Sequence, residues 1–195
     1  MIVLMSAFLL LSAFSCGGGN KANSTSEQSE ETAVNVPQFD ADSAYLYVKN
    51  QVDFGPRVPN TKEHVACGNY LAGQLEAFGA QVTNQYADLI AYDGTLLKAR
   101  NIIGSYKPES KKRIALFAHW DTRPWADNDP DEKNHNTPIL GANDGASGVG
   151  ALLEIARLVN QQQPELGIDI ILLDAEDYGA PQFYTCLLYT SPSPR

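Results

Sequence analysis

Ile114-Ala115-Leu116-Phe117-Ala118-His119-Trp120-Asp121 is a short, near-continuous apolar run that ends on an imidazole and a carboxylate. A run of this length over residues 113–119, without helical spacing, predicts a strand covered on both faces. Downstream, residues 127–138 are polar and loop-like. Gly141-Ala142-Asn143-Asp144-Gly145-Ala146-Ser147-Gly148 then leads into residues 147–160, where Val149, Leu152, Leu153, Ile155, Ala156 and Val159 form one wide apolar helical face. Residues 168–173 predict a second buried strand, running into Asp174-Ala175-Glu176-Asp177. Strand, loop, helix and strand in this order make a βαβ unit. Open sheets of this kind gather their sites outside the C-terminal ends of the strands.

Upstream, Asp42 or Ser43 can cap a helix through Ala44, Leu46, Tyr47 and Val48 that ends near Gly55. Phe54-Gly55-Pro56-Arg57-Val58-Pro59-Asn60-Thr61 is too rich in proline to be helix. Residues 62–78 predict a second helix closed by Gly79, and residues 81–91 and 99–105 predict strands.

Three acidic clusters fall at the strand ends: His119-Trp120-Asp121, the segment around Asp144, and Asp174-Ala175-Glu176-Asp177. Singly, each has an ordinary explanation as a strand end, a turn or a solvated loop. Together, carboxylates and an imidazole at one end of a sheet repel one another unless a cation sits among them. Zinc accepts imidazole nitrogen and carboxylate oxygen and keeps an open position when catalytic. Of the adjacent pair Glu176-Asp177, one carboxylate can hold the metal while its neighbour moves protons. On spacing alone, His119 is expected to be a ligand too. His64 and His135 are expected to be ordinary loop or surface residues, and Trp120 and Trp125 suit either core or an apolar pocket wall.

These motifs, in this order, resemble the zinc-dependent exopeptidase family that holds aminopeptidases and animal-type glutaminyl cyclases. The longer strings at residues 118–127 and 174–179 are similar to its bacterial glutaminyl-peptide cyclotransferase branch. The resemblance covers roughly residues 39–184. It implies an α/β fold, a three-layer α/β/α arrangement with a mixed, mostly parallel central sheet, incomplete at the C-terminus. It implies Zn2+ as cofactor, Asp144 and Asp177 as zinc ligands and Glu176 as general acid/base, with a third ligand, a histidine, from much later in the family's chain. In dinuclear aminopeptidases His119 would hold a second metal, with Asp144 bridging and Asp121 orienting the imidazole; in cyclases His119 is not a ligand. The expected substrates are peptide or protein N-termini. The expected activity is conversion of an N-terminal glutamine to pyroglutamate. Zinc aminopeptidase activity is the alternative, and a non-catalytic surface lipoprotein a second one.

The ends of the chain read differently. Residues 1–15 carry no charge and are dominated by aliphatic side chains, as in the apolar core of a secretory signal. Cys16, followed by Gly17-Gly18-Gly19 and a polar stretch, resembles a bacterial lipoprotein processing site. Residues 1–16 are therefore expected to be a leader, 17–38 a tether, and 39–185 the N-terminal part of the catalytic domain. The protein would be exported, periplasmic or an outer-membrane lipoprotein of a Gram-negative bacterium, touching membrane only through a lipid at Cys16. Residues 186–195 resemble the translation of a sequencing-library adapter and are expected to be non-native. A chain ending near Thr185 is expected to bind zinc poorly and to lack activity by itself. The formal net charge is −9 and the only cationic cluster is Lys111-Lys112-Arg113, which argues against a nucleic-acid partner. With Cys16 and Cys186 set aside, Cys67 stands alone, so no disulfide framework or cysteine metal site is expected.

Overall fold

The computed structural model describes residues 36–179, so the leader, Cys16, most of the tether and residues 186–195 lie outside the described residues. Helix α1, Ala41–Asp53, is capped by Asp40, whose carboxylate accepts the backbone N–H groups of Asp42 and Ser43. The cap thus lies two residues before Asp42. Helix α2, Lys62–Ala77, starts on Thr61, whose hydroxyl accepts the His64 N–H. It buries Cys67, Leu71 and Leu75 along one face, a four-residue repeat that makes a single stripe. Helix α3, Ser147–Gln161, buries Val149, Leu152, Leu153, Ala156 and Val159. Among the described residues no helix is long and apolar enough to cross a membrane.

The four strands are β1 (Gln81–Ile90), β2 (Leu96–Tyr106), β3 (Arg113–His119) and β4 (Gly167–Leu173), in the spatial order β1-β2-β4-β3. β3, α3 and β4 form the expected βαβ unit, with β3 and β4 parallel from Arg113↔Gly167 to His119↔Leu173. The sheet as a whole, however, is not mostly parallel. β1 pairs antiparallel with β2, and β2 antiparallel with β4, leaving one parallel pairing of three. The physical reason is connection length. β1 and β2 are joined by a short turn closed by Ala91 N–H to Thr95 C=O, and so tight a turn can only reverse the chain. β4 then inserts beside β2 with its direction set by β3.

All three helices lie on one face of the sheet. Leu71, Leu75, Ile102, Val149, Leu153, Ile170 and Leu172 meet there with no exposed surface, each worth about 2 kcal/mol in transfer free energy. Gly104 permits this approach, since a Cβ there would stand 3.2 Å from both Ala80 and Leu75. Among the described residues no helix covers the opposite face, and Phe117 upon it is 58% exposed. The apolar run of β3 is therefore not buried on both sides here.

Candidate metal centre

Parallel pairing brings the C-terminal ends of β3 and β4 to one rim, and the Trp120 N–H extends the ladder to the Leu173 carbonyl at 3.0 Å. The turn Ala142–Ala146 approaches the same rim. It cannot be regular helix: Asp144 is extended (φ −89°, ψ 109°) and Gly145 has φ 91° and ψ −66°. A side chain at 145 would also come within 3.0 Å of the Asp121 carbonyl and 3.2 Å of His119 Cε1, so glycine alone lets this turn sit on the histidine.

Here His119, Asp144 and Asp177 each offer one ligand atom, all within 4.8 Å of one another. His119 Nε2 lies 3.0 Å from Asp144 Oδ1, and His119 Nδ1 lies 3.4 Å from Asp121 Oδ1, an ion-pair distance. Asp121 is fully buried and accepts the backbone N–H groups of Glu176 at 3.2 Å and Asp177 at 2.9 Å. Ala175, at φ 62°, makes the sharp turn that aims both amides at this one carboxylate.

The electrostatics fit a cation. Burial, with the nearby charges of Asp121 and Asp144, pushes the Asp177 carboxyl up to about 6, against the opposing pull of His119. Burial by itself would lower His119, but the Asp121 carboxylate, with Asp177 and Glu176 farther off, outweighs it and raises the imidazole to about 9. Asp177 Oδ2 is buried without a hydrogen-bond partner. An imidazole and two carboxylates around a point of negative potential, with one oxygen unsatisfied, are the donors that zinc takes.

The expected residues thus converge: Asp144 and Asp177 meet, His119 joins them, and Glu176 stands next to Asp177 with its side chain exposed. Trp120 proves to be core, fully buried and donating Nε1–H to the Arg100 carbonyl at 3.2 Å. Trp125 sits edge-on to Tyr92 and Tyr178, beside the loop of Asp177. His135 is a loop residue facing the Asp129 carbonyl. His64 is not a surface residue. It is 3% exposed, stacks on Trp120 at 4.3 Å and holds Asp174 Oδ2 at 2.8 Å. Asp174 also accepts the N–H groups of Arg100 and Ala175, so the first acid of the second loop is a structural anchor. Arg57, buried in the Pro-rich loop, was a further member of this architecture without an expected role. Its sequence signal is a lone cation set between two prolines, Pro56 and Pro59, in a loop that cannot be helix.

The profile of peptidase family M28 matches residues 101–188. A solved structure of Bacteroides thetaiotaomicron glutaminyl cyclase bound to N-acetylhistamine is 96% identical, with TM-score 0.76, over 77% of this chain and 51% of that one. A structure described as a leucine aminopeptidase precursor from the same organism is also 96% identical, with TM-score 0.76, over 77% of this chain and 52% of that one. Tannerella forsythia glutaminyl cyclase is 59% identical, with TM-score 0.74, over 75% of this chain and 50% of that one. The chain thus spans about half the length of the solved chains it matches. With a rim of metal-binding donors inside the matched region, the chain has a fold like that of the zinc peptidases of family M28 and is similar to the bacterial glutaminyl cyclases.

Proposed function

We propose that this chain forms the metal-binding half of a glutaminyl-peptide cyclotransferase that converts the N-terminal glutamine of peptides and proteins to pyroglutamate. The observation that carries the reading is the convergence of His119, Asp144 and Asp177 with Glu176 beside them. The likeness to two named cyclases selects this reaction from the metal chemistry such a rim supports. In this reading Asp144 and Asp177 hold Zn2+, and His119 fixes the Asp144 carboxylate through its Nε2 contact. Bound there, the ion supplies Lewis acidity toward the side-chain amide carbonyl of the substrate. Glu176, held by the Asp121 bond to its amide but free at its carboxylate, takes a proton from the α-amine as that nitrogen bonds to the amide carbon. The same carboxyl then delivers the proton to the departing nitrogen, which leaves as ammonia. Trp125 and Tyr178 offer an apolar wall for the substrate's aliphatic stem.

In the intact protein, Glu176→Gln should retain the metal and lose at least a hundredfold in ammonia release from a glutaminyl peptide. Near-normal turnover would remove Glu176 from the reaction. A second reading, zinc aminopeptidase, is favoured by the structure described as a leucine aminopeptidase precursor and by the position of His119 within the cluster. There His119 would hold a second ion. One zinc per intact chain fits the cyclase; two, with hydrolysis of aminoacyl amides, fit the peptidase. The uncharged leader and Cys16 support export with a lipid anchor, which Cys16→Ser should abolish in a fatty-acid labelling experiment.

A further inference from the structure

Arg57 is fully buried, yet it pairs with no carboxylate among the described residues. Its guanidinium instead spends its donors on carbonyls from separate segments. Nε donates to Trp120 at 3.0 Å, Nη1 to Leu140 at 2.8 Å, and Nη2 to Gly141 at 2.9 Å, with longer contacts from Nη1 to Gly55 and Gln51. Its own carbonyl accepts the Thr122 N–H at 3.2 Å. These partners are not arbitrary. Trp120 follows His119, and Gly141 opens the turn that carries Asp144. The far end of that turn is held from α1, where Gln51 Nε2 donates to the Ala146 carbonyl at 3.1 Å.

A planar fork with five fixed donors can bind several carbonyls at once, which an ammonium or an amide cannot do in the same plane. The Leu140 and Gly141 carbonyls lead directly into the turn Ala142–Ala146, and the packing there is close: a Cβ at Gly141 would meet Thr122 Cγ2, the Asp144 carbonyl at 2.7 Å and Arg57 Nη2 at 3.1 Å. We propose that Arg57, seconded by Gln51, is a positioning residue that sets the distance between Asp144 and His119 and so prepares the cluster for its metal. This rests on reading His119, Asp144 and Asp177 as the metal cluster. The guanidinium touches neither substrate nor ion.

The test compares the intact protein with its Arg57→Gln, Arg57→Lys and Arg57→Ala variants, using Co2+ as probe and amide hydrogen exchange on the metal-free protein. The expected result is Co2+ affinity reduced about 10- to 100-fold with an altered visible spectrum in folded Arg57→Gln. Exchange should quicken at residues 119–122 and 141–146 while the β1–β2 amides keep their protection. Arg57→Lys should retain part of the affinity, and low guanidinium should restore the spectrum of Arg57→Ala. Wild-type affinity, spectrum and local exchange in Arg57→Gln would overturn the proposal, as would a uniform rise in exchange over the whole sheet. If the intact wild-type protein takes no Co2+, the metal reading fails by itself, and Arg57 is judged on the exchange pattern alone. If the Arg57 variants do not fold, Gln51→Leu carries the same two readouts, with quicker exchange confined to residues 141–146 in support and an unchanged turn against.

Discussion

The Asp121 carboxylate, past the end of β3, accepts the backbone N–H of Asp177, past the end of β4, at 2.9 Å. With the Glu176 N–H on its other oxygen and His119 Nδ1 alongside, one buried side chain ties both acidic loops together. Asp121→Asn places an amide NH2 against a donor or against the imidazole whichever way it turns. It should cost about 2 kcal/mol in urea denaturation, and more in metal affinity, where a lost outer contact typically costs 10- to 100-fold. Equal stability together with equal metal titration would contradict this role.

Gly145 occupies backbone space closed to other residues, and its missing Cβ leaves room for His119 and the Asp121 carbonyl. Gly145→Ala should therefore lower stability by about 1–3 kcal/mol through backbone strain and weaken metal binding by displacing Asp144. Thermal melts with and without added Zn2+ test both parts.

Glu154 gives an acid-sensitive link between α3 and the start of α1. Its fully buried side chain accepts from Arg157 at 2.7 and 2.6 Å and from the Asp40 N–H at 2.9 Å. The Arg157 guanidinium, despite some opposing burial, holds its carboxyl below the usual glutamate range. A carboxyl lowered on folding adds stability that is fully present above its unfolded value, near 4.5, and is lost as the pH falls through its folded value. Glu154→Gln should be less stable at neutral pH, with the gap to wild type closing below pH 4.5. Urea midpoints along a pH series measure this; a gap that widens in acid would refute it.

Cys67 lies on the buried stripe of α2, and burial pushes its thiol up to about 12 against the weaker pull of Arg57. The folded chain should leave Cys67 unmodified by iodoacetamide at pH 8, with labelling complete in denaturant. Mass spectrometry of the peptide containing Cys67 reads the difference, and fast native labelling would show that α2 does not pack as described.

The elements were legible where periodicity and punctuation agree. α3 follows its apolar face to within a residue, and α2 ends beside Gly79, at φ 80°. The cap of α1 was less so, because Asp40, Asp42 and Ser43 can all cap. The choice is made by Glu154, 114 positions away, which takes the Asp40 N–H. His64 was misjudged for the same reason: its partner Asp174 is 110 positions distant, and only packing against Trp120 brings them together. The mostly parallel sheet implied by the resemblance fails at β2, which runs antiparallel to both β1 and β4, while the apolar runs of β3 and β4 do pair parallel.

The amino-acid order by itself determined the βαβ unit and the placing of His119, Asp144, Glu176 and Asp177 at strand and turn ends, since local period and glycine punctuation act within a few residues. Only the tertiary structure decided that β4 lies between β2 and β3, that Asp121 binds the amides of the opposite loop, and that Arg57 joins three segments through their carbonyls. Those outcomes depend on which distant backbone groups meet once the apolar stripes of the helices are buried, and no local pattern carries that information.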